Sequence, residues 1–244
     1  MLVFAHTDKG KIREMNEDFY YISGERTDMQ LCVLADGMGG YNGGEIASSL
    51  ATISAQGYIL NNFDKIKKDK EEILKLIKKS MEYANEIVYK RSQREEDLEQ
   101  MGTTMEICLI YENRAYIGHI GDSRIYRIRK DIMRRLTVDH SYVQKLIKDG
   151  TITKDEAYDH PKKNMLMKAL GCGEVAEPDV FVKGFQKDDI IIMCTDGLYN
   201  MISEKEIFNI ITKNIEAGAK NLIEKANSLG GYDNISVVII KSTS

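Results

Sequence analysis

Leu31-Cys32-Val33-Leu34-Ala35-Asp36-Gly37-Met38-Gly39-Gly40 decides how this chain is read. An apolar run of strand length stops at an aspartate, and glycines follow at once. The same grammar returns at Ile190-Ile191-Ile192-Met193-Cys194-Thr195-Asp196-Gly197. It is mirrored where Gly230-Gly231-Tyr232-Asp233-Asn234 opens the run Ile235–Ile240, where Asp18 opens Phe19–Ser23, and where Asp122 follows Ile120-Gly121. Asp-Gly on its own is ordinary turn chemistry. Carboxylates placed repeatedly at strand ends can, however, converge at one end of a sheet.

Working outward, further short apolar stretches read as strands at Leu2–His6, Thr104–Tyr111, Ala115–Ile120, Ile125–Ile128 and Val180–Phe185. Asn113 marks a hairpin turn between two of them. Helices interrupt in pairs. Small and apolar residues from Glu45 to about Leu60 suit a helix lying on a sheet. Ile73, Ile77, Met81, Ala84 and Val88 recur at steps of three or four in a helix expected over about 69–96. Ser203 and Glu206 have capping-box spacing ahead of Ile207, Ile210 and Ile211, and another helix is expected from about Ala219 to Leu229. No repeat or low-complexity linker divides the chain, so residues 1–244 are expected to form one domain, with sheets inside and helices outside.

Composition excludes several classes. Hydrophobic residues make up 43% and charged residues 30% of 244, which suits a globular core and no disordered or collagen-like chain. The net charge of −4 lacks the basic footprint of a nucleic-acid binder. No apolar run reaches membrane-spanning length, and Asp8 and Lys9 interrupt the first stretch before a secretory leader could form. Cys32, Cys108, Cys172 and Cys194 are too scattered for a disulfide framework or a zinc knuckle and read as free thiols, which places the protein in the cytoplasm.

Two carboxylates about 4 Å apart repel by roughly 4 kcal/mol at an effective dielectric of 20. If the aspartates converge, a cation must join them or some must stay protonated. Oxygen-only ligands select hard ions such as magnesium or manganese.

The ordered series Arg13-Glu14-Met15-Asn16-Glu17-Asp18, Asp36-Gly37-Met38-Gly39-Gly40, Gly102-Thr103-Thr104, Gly121-Asp122-Ser123-Arg124, Thr195-Asp196-Gly197-Leu198 and Asp233-Asn234-Ile235-Ser236 resembles the metal-dependent protein phosphatases of type 2C, the PPM family, in their compact bacterial branch. Leu136-Thr137-Val138-Asp139-His140-Ser141 and Ala169-Leu170-Gly171 match as well, so the resemblance runs from about Phe4 to Ile240.

The resemblance implies an α+β fold: two packed antiparallel β-sheets flanked by pairs of α-helices, with the metal site at one end. It implies two divalent ions, manganese or magnesium, with a weaker third. Asp36 would bridge the two, the Gly37 carbonyl would join one, and Asp196 and Asp233 the other. Asp122 would share the third ion with Asp196. Glu17 and Asp18 would ligate directly or through water, Asn234 would orient ligands, and Arg13 would bind the substrate phosphate. The implied activity is hydrolysis of phosphoserine and phosphothreonine in proteins by direct attack of a water bridging the two ions, opposing a bacterial serine/threonine kinase and its substrates.

A monomer is expected, with no nucleic-acid partner. A catalytically weak pseudophosphatase or regulatory binding module of the same fold is the alternative, although every metal-site aspartate and Arg13 are in place. Met38 stands where many eukaryotic members carry a histidine, and its thioether has no proton to give. A flap over about 142–168, with His160, Lys162, Lys163 and Lys168, is the expected seat of substrate choice. His6 and His119 are expected to be structural, and His140 a local hydrogen-bonding residue.

Overall fold

A computed structural model describes residues 1–24, 29–39 and 43–243. Gly40, the last residue of the deciding stretch, lies outside them. The strands are β1 (Leu2–Asp8), β2 (Asp18–Ile22), β3 (Met29–Met38), β4 (Gly102–Thr103), β5 (Met105–Tyr111), β6 (Arg114–Ile120), β7 (Arg124–Arg129), β8 (Ile132–Arg135), β9 (Asp179–Gly184), β10 (Ile190–Cys194) and β11 (Ile235–Lys241). The helices are α1 (Gly43–Asn62), α2 (Lys70–Ser92), α3 (Tyr142–Lys148), α4 (Lys154–Tyr158), α5 (Asp196–Tyr199), α6 (Glu204–Lys213) and α7 (Gly218–Ser228).

Two antiparallel sheets form, in the orders β1-β11-β10-β7-β8 and β2-β3-β5-β6-β9, with β4 on the end of β3. The apolar runs are continuous because both faces of the central strands are covered. In β3, Leu31 and Val33 point to a core shared with α1 and α2, while Cys32 and Leu34 point into the space between the sheets. In β10 and β11, Ile192, Val237 and Ile239 meet α6 and α7, while Met193, Val238 and Ile240 fill the intersheet layer. The result is helices, sheet, sheet, helices, an α+β fold.

The stripe Ile73, Ile77, Met81, Ala84 and Val88 is fully buried, and its larger members contribute about 1.5–3 kcal/mol each. Asp69 caps α2 by accepting from the Glu72 amide, and the helix stops at Ser92, short of the expected end at 96. Ser203 caps α6 in the same way. All four cysteines are free; Cys172 is exposed and the others buried.

Several short elements escape a reading by periodicity. β8 is a short edge strand reading Ile-Met-Arg-Arg, without alternation. α3, α4 and α5 are too short to show helical periodicity. Among the described residues, no helix is long and apolar enough to cross a membrane.

Candidate active site

The register fixes which strand ends coincide. Asp18 pairs directly with Asp36 where β2 begins and β3 ends. Leu34 pairs with Glu106, and Met105 with Ile120, so the end of β6 before Gly121-Asp122 reaches the same place. In the other sheet Cys194 pairs with Val237, bringing Asp196 and Asp233 to adjoining strand ends. Residues far apart in sequence thus surround one cavity of about 230 Å³. Its walls include Arg13, Glu17, Asp36, Gly37, Met38, Thr104, Asp122, Asp196 and Asp233, with Asn164 and Leu166 from the segment after α4.

Hydroxyls from the smaller motifs hold the carboxylates. Thr104 Oγ1 accepts from the Asp36 amide at 3.0 Å, and Thr103 Oγ1 donates to the Asp36 carbonyl at 2.8 Å. Thr104 also meets Ser123 Oγ at 3.0 Å, joining Asp36 to the turn that carries Asp122. Asn234 Oδ1 accepts from the Glu17 amide, and its Nδ2 donates to the Lys9 and Met15 carbonyls. That side chain therefore orders the loop before β2 and takes no part in the cavity wall. Gly37 must be glycine, because a Cβ there would lie 2.0 Å from the Gly44 carbonyl oxygen. This closeness lets the Gly44 amide at the start of α1 reach the Glu17 carboxylate.

Asp18 sits beneath the wall. It is 6% exposed; its Oδ2 accepts from Thr195 Oγ1 at 2.9 Å, and its Oδ1 is buried without a partner. Tyr199 donates to the Asp122 carbonyl at 3.0 Å and lies under the Arg124 guanidinium. Arg124 in turn pairs with Asp139 at 2.7 Å. Asn164, Leu166 and Tyr199 lie outside the quoted motifs; only the fold brings them here.

The electrostatics are those of crowded acids. Burial, then the neighbouring Asp18, Asp196, Asp122 and Asp233, push Asp36 well above the ordinary carboxylate range. Burial raises Asp18 to about 7 against the pull of its hydroxyl partners, with Asp196 and Asp233 adding to the rise. Burial and Asp196 raise Asp122 to about 7, and burial and Asp233 raise Asp196 to about 6. Among the described residues Arg13 is the single basic side chain in the cavity wall, and its Nη2 donates to Asp233 Oδ2 at 3.0 Å.

Oxygen donors outnumbering one arginine, together with the orphaned Asp18 oxygen, fit hard divalent cations. Among the described residues, no three His, Cys, Asp or Glu side chains close round a single ion. Magnesium-like ions do not require that, since they keep several waters and take one or two carboxylates.

Comparison with known proteins agrees. Residues 6–225 match the family model for protein phosphatase 2C. The chain is 37% identical to the serine/threonine phosphatase stp of Listeria innocua over 96% of this chain and 93% of that protein. The S. agalactiae serine/threonine phosphatase superposes with a TM-score of 0.90 at 32% identity, covering 99% of both chains. The catalytic domain of the phosphatase PstP in complex with two manganese ions superposes with a TM-score of 0.86 at 34% identity, covering 100% of this chain and 98% of that one. The chain belongs to the protein phosphatase 2C family.

Proposed function

We propose that this chain is a divalent-metal-dependent phosphatase that hydrolyses phosphoserine and phosphothreonine in proteins, acting on the products of a serine/threonine kinase. The observation that carries the reading is the single cavity in which Glu17, Asp36, Asp122, Asp196 and Asp233 face one arginine. Its relatives are serine/threonine phosphatases, and one of the similar structures holds manganese.

Asp36, Asp196 and Asp233, with the Gly37 carbonyl, are the proposed ligands of two ions, manganese or magnesium. Asp122 with Asp196 would take a third, and Glu17 and Asp18 would hold ligands or waters around them. Bound ions supply Lewis-acid charge that activates water and offsets the phosphoryl charge.

The chain's own residues do the rest. Arg13 offers a planar fork that donates two parallel hydrogen bonds to phosphate oxygens, and Asp233 aims it. Thr103 and Thr104 lock the Asp36 backbone, so its carboxylate needs no reorganisation as charge develops. Met38 brings no proton to the leaving seryl or threonyl oxygen, so water supplies it, and Asp122 orients that water. Among the described residues no serine or cysteine lines the cavity, and the Thr104 hydroxyl is engaged by the Asp36 amide and Ser123, which supports water as the attacking group without a phosphoenzyme. The segment over about 142–168, which contributes Asn164 and Leu166, selects among phosphopeptides.

The test is release of inorganic phosphate from a phosphothreonine peptide, from a nucleoside triphosphate and from DNA. Turnover of the peptide with manganese, abolished by chelation, is expected; turnover of the nucleotide or DNA in preference to the peptide would overturn the reading.

A further inference from the structure

Behind the cavity lies a polar cluster that the proposed chemistry does not use. Glu106 on β5 and His119 on β6 face each other in register between the sheets, both 0% exposed. The His119 Nδ1 meets Glu106 Oε1 at 2.5 Å, and its Nε2 meets the Val138 carbonyl at 2.9 Å. The Val138 carbonyl only accepts, so His119 carries a proton on Nε2, and a further proton is shared between its Nδ1 and Glu106, whose carboxyl burial pushes up. The His140 ring stacks on His119, with centroids 4.5 Å apart and planes 27° from parallel.

His140 in turn grips Gly121 from both sides. The Gly121 amide donates to His140 Nδ1 at 3.2 Å, and the His140 amide donates to the Gly121 carbonyl at 2.7 Å. Gly121 has φ +110°, and a Cβ there would lie 2.5 Å from Thr104 Cβ, so the turn carrying Asp122 is a close-fitted left-handed one. His140 Nε2 faces Asp179 Oδ2 at 3.4 Å, and the His140 carbonyl accepts from the Met167 amide in the segment after α4. One residue thus touches the Asp122 turn, the edge strand β9 and the segment that delivers Asn164 and Leu166.

We propose that His140 is a positioning residue for phosphate hydrolysis: its unprotonated Nδ1 fixes the Gly121 amide, and with it the Asp122 carboxylate, while its backbone holds the flap in step. The proposal rests on the placement of Asp122 in the proposed function. Accepting from Gly121 requires the tautomer with the proton on Nε2, which then points to Asp179. The charged and titratable groups facing the ring agree. The ring's own burial, His119 and Lys168 disfavour a second proton, against the pull of Asp179.

Two substitutions separate the acceptor from the packing. His140→Asn keeps an oxygen acceptor at about the Nδ1 position, whereas His140→Phe keeps the stacked ring and loses the acceptor. On a phosphopeptide with manganese, His140→Phe is expected to lower kcat about tenfold or more, with KM and tight manganese binding unchanged, and His140→Asn to stay within about threefold of wild type. Asp122→Asn runs alongside. If Asp122→Asn leaves kcat unchanged, the role of Asp122 itself fails. If Asp122→Asn is impaired while His140→Phe is wild type, or if Asn and Phe fall equally, the positioning role of His140 fails.

Should His140→Phe not fold, the wild-type protein decides. In spectra of the ¹⁵N-labelled imidazoles, His140 is expected as the Nε2–H tautomer at neutral pH, with the Gly121 amide protected from exchange. A protonated Nδ1 would overturn the proposal.

Discussion

Thr195 Oγ1 donates to Asp18 Oδ2 at 2.9 Å while accepting from the Ser236 amide at 2.9 Å, so one hydroxyl stitches β2 to the ends of β10 and β11. Asp18 belongs to one sheet and Ser236 to the other, with Thr195 directly after β10. The bond closes the end of the sandwich directly under the carboxylates. Because Asp18 Oδ1 has no close partner, Thr195→Val would leave the buried carboxyl with only the nearby Ser236 hydroxyl to serve it. A loss of about 1–3 kcal/mol is expected, measured by urea unfolding in chelator, with Thr195→Ser recovering most of it. Equal stability of Thr195→Val and wild type would show that Asp18 finds another donor.

The crowded acids set a pH dependence whose sign follows from their direction. Asp18, Asp122 and Asp196 hold their protons to about 7, 7 and 6 in the folded chain, above the ordinary aspartate value. Between roughly pH 4 and 7 the unfolded chain therefore binds fewer protons than the native one, and stability falls as pH rises. In chelator the melting temperature is expected to decline from pH 5 to 7. With manganese the decline should flatten, and at about 100 times the dissociation constant each site adds roughly 2.7 kcal/mol. Parallel melting curves with and without metal would contradict this.

How far the sequence carries can be judged at particular residues. Leu31–Ala35 and Ile190–Cys194 read as strands because each is apolar on two covered faces, and the α2 stripe has helical spacing in plain view. The family resemblance brought together residues that periodicity could not, such as Arg13 and Asp233. What remained hidden depends on tertiary register. β8 is an edge with no apolar alternation. Asn164 in the flap and Tyr199 just past the Thr195–Leu198 motif join the site through tertiary contacts that their own residue types do not announce. Asn234, at the start of β11, orders a loop more than two hundred residues away in sequence, through bonds to the Lys9 and Met15 carbonyls.

Arg13 and Asp233 form a half-exposed pair at 3.0 Å, which is geometry suited to aiming a guanidinium and too open to add much stability. Arg13→Ala is expected to raise KM for a phosphopeptide, with fold and metal affinity kept. Arg13→Lys should restore only part of kcat/KM, since an ammonium cannot make the paired contact. Wild-type kcat/KM in Arg13→Ala would remove the phosphate-binding role.

Asp122 should matter in proportion to how badly the leaving group needs a proton. A seryl or threonyl alkoxide needs one and p-nitrophenolate hardly does. Asp122→Asn is therefore expected to lose kcat heavily on a phosphopeptide and mildly on p-nitrophenyl phosphate, with tight metal binding intact. Equal losses on the two substrates would rule out a part in protonating the leaving group.

The most direct test of the account measures manganese binding by calorimetry and phosphothreonine-peptide turnover on the same preparations of wild type and Asp36→Asn. Asp36 stands at the centre of the crowded acids, and an amide is nearly isosteric with its carboxylate. The account predicts a folded Asp36→Asn protein that loses tight manganese binding and turnover together. An Asp36→Asn protein that still turns over the phosphopeptide at the wild-type rate with manganese would contradict it.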